Sequence, residues 1–81
     1  MESNTTLYSL EEFNQALVDT VLKEVYYSLK EKGYDPINQL AGYLMSGDPG
    51  YISSYQNARN KVTGIERSKI LEFLLKKNFG D

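Results

Sequence analysis

Apolar residues along the chain recur at helical and not strand spacing. Leu10, Phe13, Leu17, Val21, Val25 and Leu29 follow one another at three- and four-residue steps, which marks one face of a long helix. Ser9-Leu10-Glu11-Glu12 reads as a capping box at its start. Gly33, after a lysine-containing last turn, reads as its stop near Lys32. Asp35-Pro36 opens a second helix with a capping carboxylate and a proline at the first helical position. Ile37, Leu40, Ala41, Leu44 and Met45 form its expected buried stripe, and Gly47 ends it. Gly42 inside that helix costs about 1 kcal/mol against alanine, so close packing is expected there.

Asp48-Pro49 repeats the cap-and-proline start and predicts a short helical turn to Ile52. Ser53 or Ser54 is expected to cap a further helix through Val62. Thr63-Gly64-Ile65-Glu66 reads as a second capping box. It opens a last helix with Ile70, Leu71, Phe73, Leu74 and Leu75 on a wide apolar face and Gly80 at its end. Residues 1–8 are polar and predict a flexible N-terminal tail. The expected fold is all-α, a compact bundle of four to five helices, with a tail over 1–8 and one domain over 9–81.

Composition narrows the chemistry. The 81 residues suit one domain and contain no cysteine and no histidine. Disulfides and thiolate metal sites are thereby excluded, together with the commonest general base. The prior for an enzyme falls, and no catalytic residue, cofactor or metal is expected. Glu11 with Glu12, and Glu66 with Glu72, are carboxylate pairs, but neighbours on a helix diverge and two of the four have capping roles. Ser46-Gly47-Asp48-Pro49-Gly50 lacks the lysine of a phosphate loop and reads as a structural turn. The tyrosines Tyr26, Tyr27, Tyr34, Tyr43, Tyr51 and Tyr55 are expected to pack their rings and expose their hydroxyls, some at a subunit interface.

Net charge is −2, unevenly placed: residues 1–40 carry three basic and seven acidic side chains, residues 41–81 six and four. A nucleic-acid binder would be basic, so the rival reading as a helix-turn-helix module is disfavoured and no nucleic-acid partner is expected. An unmodified structural adaptor is a second alternative. Without a long apolar run or a signal-like start, the chain is expected to be cytoplasmic with no membrane insertion. Val18, Leu22, Tyr26 and Tyr27 lie outside the first apolar face. A chain this short has difficulty covering them, which predicts a homodimer.

From Glu31 to Ile52 the chain reads EKGYDPINQLAGYLMSGDPGYI, and it continues through Ala58-Arg59, Ile65-Glu66-Arg67 and Ile70-Leu71-Glu72-Phe73-Leu74-Leu75. This run resembles the IreB family of small regulatory phosphoproteins from Gram-positive bacteria, over about Val21 to Leu75. The resemblance implies a non-enzymatic helical homodimer. It also implies a substrate of transmembrane serine/threonine kinases with PASTA repeats, modified on an N-terminal threonine that here is Thr5 or Thr6. By the same resemblance it would regulate peptidoglycan precursor synthesis. It would do so through Clp-protease turnover of UDP-N-acetylglucosamine carboxyvinyltransferase, with an effect on cephalosporin tolerance. Arg59 and Arg67 match family arginines and are candidate partner-binding residues. On charge alone they are equally candidates for internal pairing.

Overall fold

The computed structural model describes residues 2–80, with side chains from Leu10 onward. Four α-helices follow in order: α1 (Glu2–Glu31), α2 (Pro36–Ser46), α3 (Ala58–Thr63) and α4 (Arg67–Phe79). Two 3-10 turns, Pro49–Tyr51 and Tyr55–Asn57, lie between α2 and α3. The fold is all-helical, and no strand occurs among the described residues.

Helix ends follow the sequence punctuation closely. At the end of α1, Gly33 takes φ 96° and its N–H donates to the Lys30 carbonyl, while the Tyr34 N–H donates to that of Leu29. These paired bonds satisfy carbonyls that the helix leaves free. Asp35 caps α2 by accepting from the Asn38 N–H at 3.3 Å, and Gly47, at φ 78°, closes it by donating to the Tyr43 carbonyl. Asp48 caps the first 3-10 turn through the Gly50 N–H at 2.8 Å. Gly80, at φ 84°, ends α4.

Three expectations about helix starts need correction. The α1 backbone runs back to Glu2, so Ser9 lies within the helix and not at a capping position. The division into a tail over 1–8 and a domain from residue 9 falls on residues whose side chains lie outside the described ones. The helix expected from Ser53 or Ser54 to Val62 is split. Ser53 Oγ accepts the Tyr55 N–H at 3.1 Å and opens the second 3-10 turn, but Gln56 and Asn57 then take φ 52° and 64°. α3 starts only after them. The second capping box does not form either. Thr63 ends α3, its hydroxyl donates to the Arg59 carbonyl at 2.8 Å, and Glu66 starts α4 without a side-chain cap.

α1 is the spine against which the other three helices pack. The core joins Val18, Val25 and Leu29 of α1 to Tyr43, Ile52, Ala58, Val62 and Ile70. Each fully buried aliphatic side chain among these contributes about 1.5–3 kcal/mol of transfer free energy. Ser28, a buried polar residue, donates its hydroxyl to Oε1 of Gln56 at 2.7 Å, which fastens the left-handed segment to the spine. Among the described residues, no buried side-chain nitrogen or oxygen lacks a hydrogen-bond partner.

The stripes read from periodicity exist, but several face outward. Of the six positions of the predicted α1 stripe, only Val25 and Leu29 are buried; Val21 is half-buried, and Leu10, Phe13 and Leu17 are exposed. Val18, assigned to a different face, is in the core. α2 differs most from expectation. Ile37 and Met45 are exposed, whereas Tyr43 is the buried side chain of that helix. On α4, Ile70 is buried while Leu71, Leu74 and Leu75 reach solvent.

Candidate interaction surface

α2 and the turns after it form one tightly fastened unit. Ser46 Oγ donates to the Gly42 carbonyl at 2.7 Å and accepts the Asp48 N–H at 3.0 Å. Gln39 Nε2 donates to the Tyr51 carbonyl at 2.9 Å, folding the 3-10 turn back along α2. The Tyr51 ring then covers Gly42. The close packing expected at this glycine is therefore present, and it is made by an aromatic ring. The Ser46–Gly50 segment is a helix-to-helix turn whose carboxylate binds its own backbone.

Arg59 and Arg67 serve this same unit. Arg59 Nε donates to the Ile52 carbonyl at 2.8 Å, and Arg67 Nη1 donates to the Leu44 carbonyl at 2.9 Å. Arg67 thereby satisfies one of the free carbonyls at the C-terminal end of α2 and ties the first residue of α4 to it. Both arginines are otherwise exposed. The side chains of Thr5 and Thr6 lie outside the described residues.

The apolar stripe of α2 is divided: Leu40 and Leu44 pack against the core, while Ile37 and Met45 are exposed. Ile37, Leu40, Ala41 and Leu44 face Leu22 and Tyr26 of α1 and Phe73 and Leu74 of α4 across an open groove of about 590 Å³. Asp19, Lys23, Lys77 and Asn78 complete its lining. Lys23 and Lys77 reach the Asp19 carboxylate at 3.0 and 3.9 Å. Periodicity assigned this stripe to the core. That holds for Leu40 and Leu44 and fails for Ile37 and Met45, where the chain has more apolar positions than its 81 residues cover.

The carboxylates singled out as conceivable acid/base pairs are in ordinary surroundings. Glu11 faces Lys76 at 3.7 Å and Glu72 faces Lys69 at 4.0 Å, both as exposed pairs. The Tyr55 phenol is pushed above its usual value of 10.0 by desolvation and then by the Glu31 carboxylate. Lys32 sits 5.0 Å over the Tyr55 ring. Among the described residues, no three or more carboxylates gather to hold a metal ion. No described helix is long and apolar enough to cross a membrane.

The model of the family described as IreB regulatory phosphoprotein matches residues 3–79, nearly the whole chain. The chain belongs to the IreB family. Membership gives it the family's regulatory role in place of a catalytic one, and implies interaction with a kinase. The matched span includes Thr5 and Thr6, the signature unit around α2, and both arginines.

Proposed function

We propose that this protein is a non-enzymatic, cytoplasmic regulatory phosphoprotein, modified on Thr5 or Thr6 by a PASTA-type serine/threonine kinase. Its output is control of peptidoglycan precursor synthesis, exerted on the Clp-dependent stability of UDP-N-acetylglucosamine carboxyvinyltransferase, and hence on cephalosporin tolerance. The observation that carries this reading is the family match across residues 3–79. Physical chemistry is compatible with it. Residues 5 and 6 fall near the start of the α1 backbone, where the helix dipole favours an added anion. A phosphate there brings about −1.5 to −2 charges to the acidic half of the chain. Modification repositions the leading segment and leaves the core of α1–α4 intact.

The protein acts as a homodimer. The exposed Ile37 of α2 and Leu74 of α4 support this, since they line an open groove among the described residues. Arg59 and Arg67 retain a role toward partners through the donors their backbone bonds leave free.

The test is incubation with a purified PASTA-type kinase followed by intact mass measurement. Wild type gains one phosphate, and the Thr5→Ala/Thr6→Ala double variant gains none; continued labelling of the double variant defeats the site assignment. A pull-down comparing both forms then identifies the partner, and light scattering at high protein concentration reads the dimer.

A further inference from the structure

Residues 53–63 carry the start and the body of one helix, interrupted part-way. Ser53 Oγ accepts the Tyr55 N–H at 3.1 Å, the bond that an N-cap serine makes to the second residue of a helix. Ser54 has φ −79° and ψ −2°, Ala58 has φ −60° and ψ −44°, and both are right-handed. Between them Gln56 (φ 52°, ψ 31°) and Asn57 (φ 64°, ψ 22°) are left-handed. Neither is glycine, so the backbone is strained at two successive positions. The interruption is held from outside. Buried Ser28 of α1 donates to Gln56 Oε1 at 2.7 Å, and the Lys32 ammonium of the same end of the spine lies 5.0 Å over the Tyr55 ring. Asn60 Nδ2 adds a bond to Asn57 Oδ1 at 2.9 Å.

Straightening this segment leaves no backbone donor unpaired. In the bent form the N–H groups of Asn57, Ala58 and Arg59 donate to the carbonyls of Ser54, Tyr55 and Ser53. In a continuous helix the same three donate to Ser53, Ser54 and Tyr55, so bonds are exchanged and none is lost. The Ser28 hydroxyl, once released, has the Glu24 carbonyl of its own helix as an acceptor four residues back. We propose that the Gln56–Asn57 turn is a two-state latch, bent as described above in its major state and, in a minor state, straightened so that residues 54–63 form one helix. The Ser28–Gln56 bond holds the bent state, while relief of two left-handed residues favours the other. Arg59 follows the latch, because its N–H and its Nε are bonded to Ser53 and Ile52, on the far side of the bend. That consequence for partner binding rests on the role proposed above for Arg59; the latch itself does not.

Saturation-transfer NMR, which reads the chemical shifts of minor states, tests the latch on the full chain. Ser28→Ala is expected to show a minor state with right-handed helical Cα and Cβ shifts at Gln56 and Asn57. Its population is expected to rise about fivefold over wild type, the effect of losing one hydrogen bond. Gln56→Gly loses the same bond but suits the left-handed region, so it is expected to stay bent more than Ser28→Ala does. Cooperative thermal unfolding checks that both variants fold. Equal exchange in the two variants would mean that the lost bond only loosens the turn, and overturns the latch. A Ser28→Ala variant with no minor state, or with one of non-helical shifts, overturns it as well. A pull-down separates the latch from the role of Arg59. Partner capture changed by Ser28→Ala and lost in Arg59→Gln supports both; capture lost only in Arg59→Gln keeps that residue's role and removes its control by the latch.

Discussion

The ring of Tyr51 occupies the space that a side chain on Gly42 would need. A Cβ at Gly42 would stand 2.9 Å from Cζ of that ring and nearer still to Cδ1 and Cε1. Helix propensity alone favours alanine here by about 1 kcal/mol. Overpacking against a ring held by the Gln39–Tyr51 bond opposes it by about 1–3 kcal/mol. Gly42→Ala is therefore expected to destabilise the protein, and to become neutral or stabilising in a Tyr51→Ala background. Urea unfolding of the four-member mutant cycle measures this; equal effects in both backgrounds would remove the ring as the cause.

Arg67 holds two elements by one bond. Its guanidinium donates to the Leu44 carbonyl and lies so close to Gly47 that a Cβ there would meet Cζ at 2.8 Å. Arg67→Ala is expected to lower stability by about 1 kcal/mol, the net value of one exposed hydrogen bond. Gly47→Ala is expected to cost more, because φ 78° adds backbone strain to the steric conflict. An Arg67→Ala variant of unchanged stability would free this residue from its structural role and leave only contact with a partner.

Gln56 is strained and useful at once. Its φ of 52° is unfavourable for a residue with a side chain, yet that side chain accepts the hydroxyl of buried Ser28. Gln56→Ala keeps the strain and loses the bond, so it is expected to cost about 1 kcal/mol. Gln56→Gly loses the same bond but relieves the backbone, and is expected to be about 1 kcal/mol more stable than the alanine variant. Calorimetric melting of the pair tests this. Equal melting temperatures would mean the left-handed conformation is not strained.

Tyr55 gives a pH signature at the alkaline end. Desolvation and then the Glu31 carboxylate hold its phenol above the ordinary value of 10.0. The folded chain thus keeps this proton after the unfolded chain has released it. The associated stability is complete below pH 10 and is lost as pH rises through the folded-state value. Tyr55→Phe is expected to remove that component from an alkaline stability profile. Glu31→Gln is expected to bring the Tyr55 titration closer to its ordinary position. A Tyr55 titration unmoved by Glu31→Gln would leave desolvation as its only cause.

Helix boundaries were more legible than helix faces, for a physical reason. Asp35-Pro36, Gly47, Asp48-Pro49 and Gly80 act within a few residues, by caps and positive φ angles that no distant contact has to supply. Thr63 shows where local reading stops: its hydroxyl had two possible partners, and it bonds back to Arg59 at the end of α3. Faces depend on distant parts of the chain. Periodicity expected the Ile37–Leu40–Ala41–Leu44–Met45 stripe to be buried; Leu40 and Leu44 do pack against the core, but Ile37 and Met45 do not. Tyr51 and Arg67 fasten α2 while Leu40 and Leu44 pack against the core, which leaves the Ile37 and Met45 ends of the stripe in solvent. The groove was thus visible in the sequence only as a surplus of apolar positions. Thr5 and Thr6 were nominated by resemblance, since no local chemistry distinguishes them from other polar residues near the start of the chain.

The two sides of α4 contrast a buried with an exposed aliphatic position. Ile70 is fully buried against the spine, whereas Leu75, also an aliphatic residue of α4, is 57% exposed. Truncating Ile70 to alanine opens a cavity in a small core and is expected to cost about 2–4 kcal/mol. Leu75→Ala removes a side chain already in water, so it is expected to change stability by less than about 0.5 kcal/mol at protein concentrations low enough to keep the chain monomeric. If two copies associate through this face as proposed, mass action makes any larger effect of Leu75→Ala grow with protein concentration. Melting temperatures at two concentrations separate these terms. A large, concentration-independent loss at Leu75 would mean that this face packs within the single chain, contrary to its exposure here.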